Sequence, residues 1–253
     1  MLLESCGRGS IMRWVMGYIA ALCVLVLIIS QSVIIPTFFM PFFQWQYTRS
    51  ETAAEIGIAH EDLIRVTTKL LDYMRGRRDS LHGITAEVIG RDEIASLAYG
   101  EDFFTVTEIQ HMVDVRVLYE QLFMARNVAF FLLIALVLGM FLQKENPLFL
   151  LSRCSREILA GFWIIMMVFA GVIALNFERA WTIFHYIFFR QDAARNWLLT
   201  PFIDLMINMY PLEFFLHISI FFAGLVTLFS AAIIIAASLY LRYSPRLPGF
   251  KAP

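Results

Sequence analysis

The chain has 253 residues and a formal net charge of -1; 59% of its residues are hydrophobic and only 16% are charged. Because an ordinary soluble domain has about 45–50% apolar and about 25% charged residues, this composition favours a membrane protein. It excludes a disordered chain, which needs low hydrophobicity and high net charge, and it argues against a nucleic-acid binder, which needs a basic surface.

Four windows without Asp, Glu, Lys or Arg predict four membrane-spanning helices, since a span needs roughly 20 apolar residues. The windows cover residues 14–48, whose apolar core ends near residue 35, and residues 127–143, 158–177 and 214–241. Residues 122–124 lengthen the second window. The first window is predicted to be a retained helix rather than a signal peptide, because its apolar run is too long for one.

The short flanks that are rich in Lys and Arg are residues 1–13, 144–157 and 242–253, and with four spans they share one side of the membrane. Such flanks stay inside, so both termini are predicted to be cytoplasmic in a multi-pass protein of the cell membrane. The predicted fold is an all-α membrane protein with a mainly helical extracytoplasmic head and an aromatic outer loop. Its segments are the cytoplasmic tail 1–13, transmembrane helices 14–36, 122–143, 158–177 and 214–241, the head 37–121, the cytoplasmic loop 144–157, the aromatic segment 178–213 and the cytoplasmic tail 242–253.

The first outer segment begins with prolines and an aromatic cluster at residues 38–47, a composition typical of the membrane interface. From Glu51 to Arg75 apolar residues recur at helical spacing, and Gly76 is a suitable stop. Residues 77–104 are predicted to be irregular, with a short strand at Ile84–Ile89. None of the three cysteines lies in an outer segment, so no disulfide framework is expected.

A new helix is predicted after Thr105, because Thr105 and Glu108 have the spacing of a capping box. No Gly or Pro follows until Gly139, so one helix can continue into the second span. At 1.5 Å per residue, His111 would then lie roughly 15 Å above a membrane boundary near residue 121.

Within this helix Glu108, His111 and Asp114 follow each other at three-residue spacing, with Arg116 to one side. A carboxylate one turn from a histidine can fix its tautomer and raise its basicity, which suits a general base. The alternative is a solvated face on an exposed helix, which is the more frequent explanation of such a pattern.

The second outer segment is strongly aromatic and contains His185 among bulky apolar residues. An unpaired polar group near the bilayer is costly, so His185 is either a functional residue or a packing residue bonded to a carbonyl. His60 and His82 have polar neighbours and are predicted to be surface residues, and His217 is predicted to be a polar residue at a helix end.

Motifs of several other enzyme classes are absent, among them H-E-x-x-H, G-x-S-x-G and the Walker loop. A zinc site formed by His111, Asp114 and His185 is formally possible, but no ligand pair has a familiar metal spacing, and neither a metal nor a cofactor is predicted. A transporter would usually carry charges or helix breaks inside its spans, which these windows lack.

Two stretches resemble elements of the lipoprotein intramolecular transacylase (Lit) family. Residues 108–116, E-I-Q-H-M-V-D-V-R, resemble its E-x-x-H-M-x-D-V-K/R element. Residues 184–189, F-H-Y-I-F-F, begin a stretch similar to its second element, which continues with Trp197, Pro201, Asp204, Ile207 and Pro211. The chain departs from the family pattern at Leu199-Thr200 and at Leu216-His217.

The resemblance implies an enzyme that moves the sn-2 acyl chain of a diacylglyceryl-modified cysteine onto the α-amino group of that cysteine in a bacterial lipoprotein. It implies that His111 and His185 carry the reaction without a metal. Asp114 and Glu108 would then orient His111, while Arg116 would polarise the carbonyl or hold nearby backbone. Trp197 and Asp204 would support the site or contact the substrate, and the aromatic stretch 181–197 would admit acyl chains.

Two other classes of protein fit the sequence. A non-catalytic membrane scaffold or sensor predicts that the two histidine elements lie far apart. A membrane metallohydrolase predicts loss of activity with a chelator and recovery with zinc. The sequence leaves the oligomeric state open.

Overall fold

The structure, a computed structural model, describes residues 2–86, 102–175 and 204–244, together with residues 179, 183 and 199. Within these ranges every element with defined bounds is an α-helix, and no strand occurs, which confirms the prediction of an all-α protein. The helices are α1 (Leu2–Thr37), α2 (Met40–Arg49), α3 (Thr52–Ile56), α4 (His60–Met74), α5 (Val106–Leu142), α6 (Pro147–Leu175), α7 (Leu205–Met209) and α8 (Leu212–Tyr243).

Three stretches of helix are long and apolar enough to cross a membrane, namely Ile11–Thr37, Val106–Leu142 and Glu213–Tyr243. They contain the first and fourth predicted spans in full and the second as far as Leu142, one residue before its predicted end. Residues 158–175, most of the third predicted span, lie within α6, so they are helical. Their crossing of the membrane remains a prediction.

The chain divides into two compact units. Unit 1 consists of Met1–Ile34, Phe123–Phe177 and Phe222–Pro253. Its long helices pack through two small apolar clusters, Ala20 with Met140 and Leu150, and Ile28 with Leu159 and Val226. Many of its large apolar side chains are nevertheless exposed, among them Phe131, Leu138, Met167 and Leu228. Exposed apolar side chains in such number suit contact with lipid acyl chains.

Unit 2 consists of Ile35–Leu122 and Glu178–Phe221, and it holds the larger apolar core. Phe42, Phe43 and Tyr47 of α2 are buried in this core, whereas Trp45 is 48% exposed. The Tyr47 hydroxyl lies 2.8 Å from the Thr67 hydroxyl, and burial raises the pKa of Tyr47 well above its usual value. These three rings pack against α4, α7 and the start of α8, and the predicted location of the cluster at the membrane interface stays a prediction.

The single helix predicted from Glu51 to Arg75 is divided into α3 and α4. Gly57, with φ of 72°, caps α3 and directs its N–H to the carbonyls of Ala53 and Ala54. A left-handed conformation is easy for glycine and ends the helix there. The predicted stop at Gly76 is confirmed, since α4 ends at Met74 and Gly76 has φ of 73°.

The predicted strand at Ile84–Ile89 is wrong in its described part. Residues 84–86 are irregular, and residues 87–89 lie outside the described residues.

Candidate functional site

The helix that carries His111 begins with the predicted capping box. The backbone N–H of Thr105 donates to Oε2 of Glu108 at 2.7 Å, and the N–H of Glu108 donates to Oγ1 of Thr105 at 3.2 Å. Two of the N–H groups that a helix start leaves unpaired are thereby satisfied. From this start α5 continues without interruption to Leu142, as predicted.

Glu108 and Thr105 also bind a part of the chain that is distant in sequence. The second carboxylate oxygen of Glu108, Oε1, accepts the backbone N–H of Met206 at 2.5 Å. The Thr105 hydroxyl donates to Oδ1 of Asp204 at 2.8 Å. Glu108 is fully buried and Asp204 is 4% exposed. The structure thus brings together two of the predicted site residues, Glu108 and Asp204, and adds Thr105 between them.

His111 and Asp114 lie one turn apart on α5, and both are partly buried. Between them, Met112 is 5% exposed and packs into the core of unit 2. This packing holds the face of α5 that carries Met112 against the core. Oδ2 of Asp114 is inaccessible to solvent and accepts no hydrogen bond from the described residues. A carboxylate oxygen can accept hydrogen bonds, so Asp114 offers an acceptor one turn along α5 from His111.

Arg116 connects α5 with the end of α4. Its NH1 group donates to the carbonyl of Arg78 at 3.1 Å, and its guanidinium carbon lies 4.8 Å from the ring centroid of Tyr73. Its Nε donates to Oε1 of Glu120, one turn along α5, at 2.9 Å. These contacts correspond to the second of the two roles expected for Arg116, the holding of nearby backbone.

The polar pattern of residues 108–116 is not a solvated helix face. Glu108 is fully buried, and His111, Asp114 and Arg116 are partly buried. Burying a charged group without hydrogen-bond partners is costly. Glu108 and Arg116 each have several such partners. The described contacts of Glu108 go to Thr105 and Met206 rather than to His111, so its expected role in orienting His111 stays a prediction.

The other half of the expected site, His185 and Trp197, lies outside the described residues. In the described part of the chain, no group of three or more His, Cys, Asp or Glu residues could hold a metal ion.

Two further polar pairs involve histidines that the sequence did not connect to a partner. His82 is exposed, as predicted, and its Nδ1 lies 2.9 Å from Oδ2 of Asp102. This contact, together with the N–H of Gly83 on Oδ1, lowers the pKa of Asp102. Nδ1 of His217 lies 2.8 Å from Oε1 of the fully buried Gln46. Separations of 20 and 171 residues leave no local signal from which either pair could be predicted.

Comparisons with known proteins give one family and one group of solved structures. A profile of the lipoprotein intramolecular transacylase Lit family matches residues 18–215 of the chain. No curated protein that was compared with the chain matches it.

The solved structures are in meso structures of the membrane integral lipoprotein intramolecular transacylase Lit from Bacillus cereus. A variant in which a histidine is replaced by arginine is 14% identical, with a TM-score of 0.72 over 97% of this chain and 99% of that chain. A second structure of Lit is 17% identical, with a TM-score of 0.64 over 92% and 96% of the two chains. A histidine-to-alanine variant is 14% identical, with a TM-score of 0.70 over 98% and 100%.

At these identities the structural likeness concerns the fold. The profile, however, covers well over half of the chain and includes both histidine elements. The chain belongs to the lipoprotein intramolecular transacylase Lit family and is an integral membrane acyltransferase.

Proposed function

We propose that the protein moves the sn-2 acyl chain of a diacylglyceryl-modified N-terminal cysteine onto the α-amino group of the same cysteine in a bacterial lipoprotein. The product is an N-acyl, monoacylglyceryl lipoprotein. The observation that carries the proposal is the family match over residues 18–215, which contains both histidine elements. The buried start of the His111 helix supports it, because it indicates a built site rather than a solvated face.

This reaction brings its own nucleophile, so it requires no serine or cysteine of the enzyme. The amine nitrogen attacks the ester carbonyl carbon and loses a proton, the bond from that carbon to the sn-2 glyceryl oxygen breaks, and the oxygen takes up a proton. One histidine can accept the first proton and another can donate the second. Holding the amine and the ester together supplies the further advantage of a preorganised pair.

In this proposal His111 and His185 are the acid/base pair. Asp114 is one turn from His111 and offers an acceptor that can orient the imidazole or stabilise its protonated form. Arg116 and Glu108 hold the helix in place through the contacts described above. Trp197 lies in the aromatic segment that would admit acyl chains. No cofactor takes part.

The proposed topology has four spans, 14–36, 122–143, 158–177 and 214–241, with both termini in the cytoplasm. The head 37–121 and the aromatic segment 178–213 then lie outside the cell membrane. The first, second and fourth spans are supported by helices of sufficient length and apolar character. The active site would face the extracytoplasmic side, where the lipid-modified substrate is itself anchored in the bilayer.

The experiment replaces His111 and His185 by alanine in separate variants and expresses them in cells that lack other N-acylation. Mass spectrometry of a lipoprotein N-terminus is expected to show the N-acyl, monoacylglyceryl form with the natural enzyme and its loss with either variant. His60→Ala is the matched control, because His60 is exposed at the start of α4 and belongs to neither element of the sequence. Normal product with both site variants would refute the assignment of the two histidines.

A further inference from the structure

A buried hydrogen-bonded group joins the start of α5 to the start of α7, and we call it the 105–204 anchor. It consists of Thr105, Glu108, Asp204 and the backbone N–H of Met206. Its two contacts between the helices join residues 98 and 99 positions apart in the sequence. Neither carboxylate is a solvent-exposed surface group, since Glu108 is fully buried and Asp204 is 4% exposed.

We propose that Glu108 is a positioning residue of the acyl transfer and acts through this anchor, without contacting the substrate. The inference rests on the proposed function, because it concerns the placement of the proposed acid/base residue His111. His111 follows Glu108 by one turn of the same rigid helix, so the anchor sets where the imidazole lies. The anchor ties that helix to Asp204 and Met206, which lie within the second histidine element, after His185 in the sequence.

The geometry makes a specific demand on residue 108. Both oxygens of Glu108 face backbone N–H donors, Thr105 on one side and Met206 on the other. Glutamine has the same shape but only one acceptor, and its NH₂ group would face an N–H. A buried donor without an acceptor is costly, so Glu108→Gln is expected to be nearly as harmful as Glu108→Ala. A residue needed only for packing would tolerate glutamine.

Thr105 offers an independent test of the same anchor. Its hydroxyl accepts the N–H of Glu108 and donates to Asp204. Thr105→Val keeps the size of the side chain and removes both hydrogen bonds, whereas Thr105→Ser keeps both and also remains a good helix cap. Comparing the Val and Ser variants therefore separates the role of the Thr105 hydroxyl from that of its methyl group.

The experiment measures kcat and KM of the purified full-length protein in lipid nanodiscs, with a synthetic diacylglyceryl lipopeptide as substrate and mass spectrometry of the N-acyl product. Glu108→Gln and Thr105→Val are expected to lower kcat by about 10- to 100-fold with little change in KM, because a misplacement of about 1 Å can cost about 100-fold. Thr105→Ser should keep the kcat of the natural protein. Glu61→Gln is the matched control, since Glu61 is an exposed acid in the first turn of α4.

Each outcome decides one question. An inactive natural enzyme would refute the proposed function, whereas an active natural enzyme with an equally active Glu108→Gln variant would refute the anchor alone. A rise in KM at unchanged kcat would also overturn the inference, because it would indicate substrate binding by Glu108. If Glu108→Gln does not yield folded protein, the comparison of Thr105→Val with Thr105→Ser decides, and equal kcat values for that pair would refute the anchor.

Discussion

Replacing Arg116 separates the two roles that its position in the motif suggests. If Arg116 polarises the ester carbonyl, its loss lowers the rate and leaves the fold intact. If it holds backbone, as its contacts indicate, its loss destabilises unit 2. The contacts are a hydrogen bond to the Arg78 carbonyl and a stacking contact with the Tyr73 ring, made by a side chain that is 22% exposed.

The expected magnitude follows from these contacts. A hydrogen bond from a charged donor contributes about 1.5–3 kcal/mol, and a cation–π contact at a partly exposed site about 0.5–1 kcal/mol. The pair with Glu120 contributes only about 0.3–0.5 kcal/mol, because Glu120 is 55% exposed. Arg116→Gln should therefore lower the free energy of unfolding by about 2–4 kcal/mol. Arg116→Lys should lose about half as much, since lysine keeps the charge but not the planar fork.

Thermal unfolding of the purified protein in detergent tests this expectation. Since 1 kcal/mol corresponds to about 2–4 °C in a chain of this size, Arg116→Gln should lower Tm by about 4–16 °C. Arg77→Lys is the matched control, because Arg77 is 67% exposed and pairs with Asp72 at the surface. An Arg116→Gln variant that keeps the natural Tm and loses the acyl transfer would refute the holding role and favour the carbonyl.

Three smaller perturbations test other parts of the described structure by thermal unfolding. Gly57→Ala should lose about 1–2 kcal/mol and Gly57→Asn clearly less, because asparagine tolerates a positive φ better than alanine; equal losses would contradict this. Tyr47→Phe should lose about 0.5–1.5 kcal/mol by removing the buried hydrogen bond between the Tyr47 and Thr67 hydroxyls, and an unchanged Tm would contradict it. The hydrogen bonds of Asp102 to His82 and Gly83 lower its pKa, so they stabilise the fold fully above the ordinary Asp pKa of about 3.9 and progressively less below it. The difference in Tm between the natural protein and Asp102→Asn should therefore shrink as the pH falls below about 3.9. A difference that stays constant with pH would contradict this.

The parts of the fold that the sequence predicts are those determined by neighbouring residues. The capping box at Thr105 and Glu108 involves a spacing of three, and the uninterrupted helix that follows it needs only the absence of Gly and Pro. The stop at Gly76 is similarly local. The cap and the stop each lie within one or two helical turns, the range over which side-chain spacing controls the backbone.

The break at Gly57 shows how a correct pattern can still give a wrong element. Ile56, Leu63, Val66, Leu70 and Met74 are all buried, so their helical spacing correctly marks one face of the core. The spacing continues across the break because α3 and α4 both contribute to that face. Only Gly57 itself signalled the interruption, and a glycine within a periodic segment is often tolerated.

The contacts that give residues 108–116 their meaning join parts of the chain with no local relation. Glu108 reaches Met206, and Arg116 reaches Tyr73 and Arg78. Spacing alone favoured a solvated face, because charged residues at this interval are usually exposed. The structure reverses that judgement only by supplying the partners, since a glutamate is almost never fully buried unless it is paired.

These partners also divide the polar residues of the motif into two kinds. The outer two, Glu108 and Arg116, each make several hydrogen bonds to protein groups, and they do so in two different directions, toward α7 and toward the end of α4. A helix held at two points more than one turn apart is fixed in both position and rotation. The inner two, His111 and Asp114, lie between these points on partly buried positions. The motif therefore combines its own scaffold with the proposed acid/base histidine and its carboxylate neighbour. Substitutions at its ends are expected to act through the stability and placement of the helix, and those at its centre through chemistry.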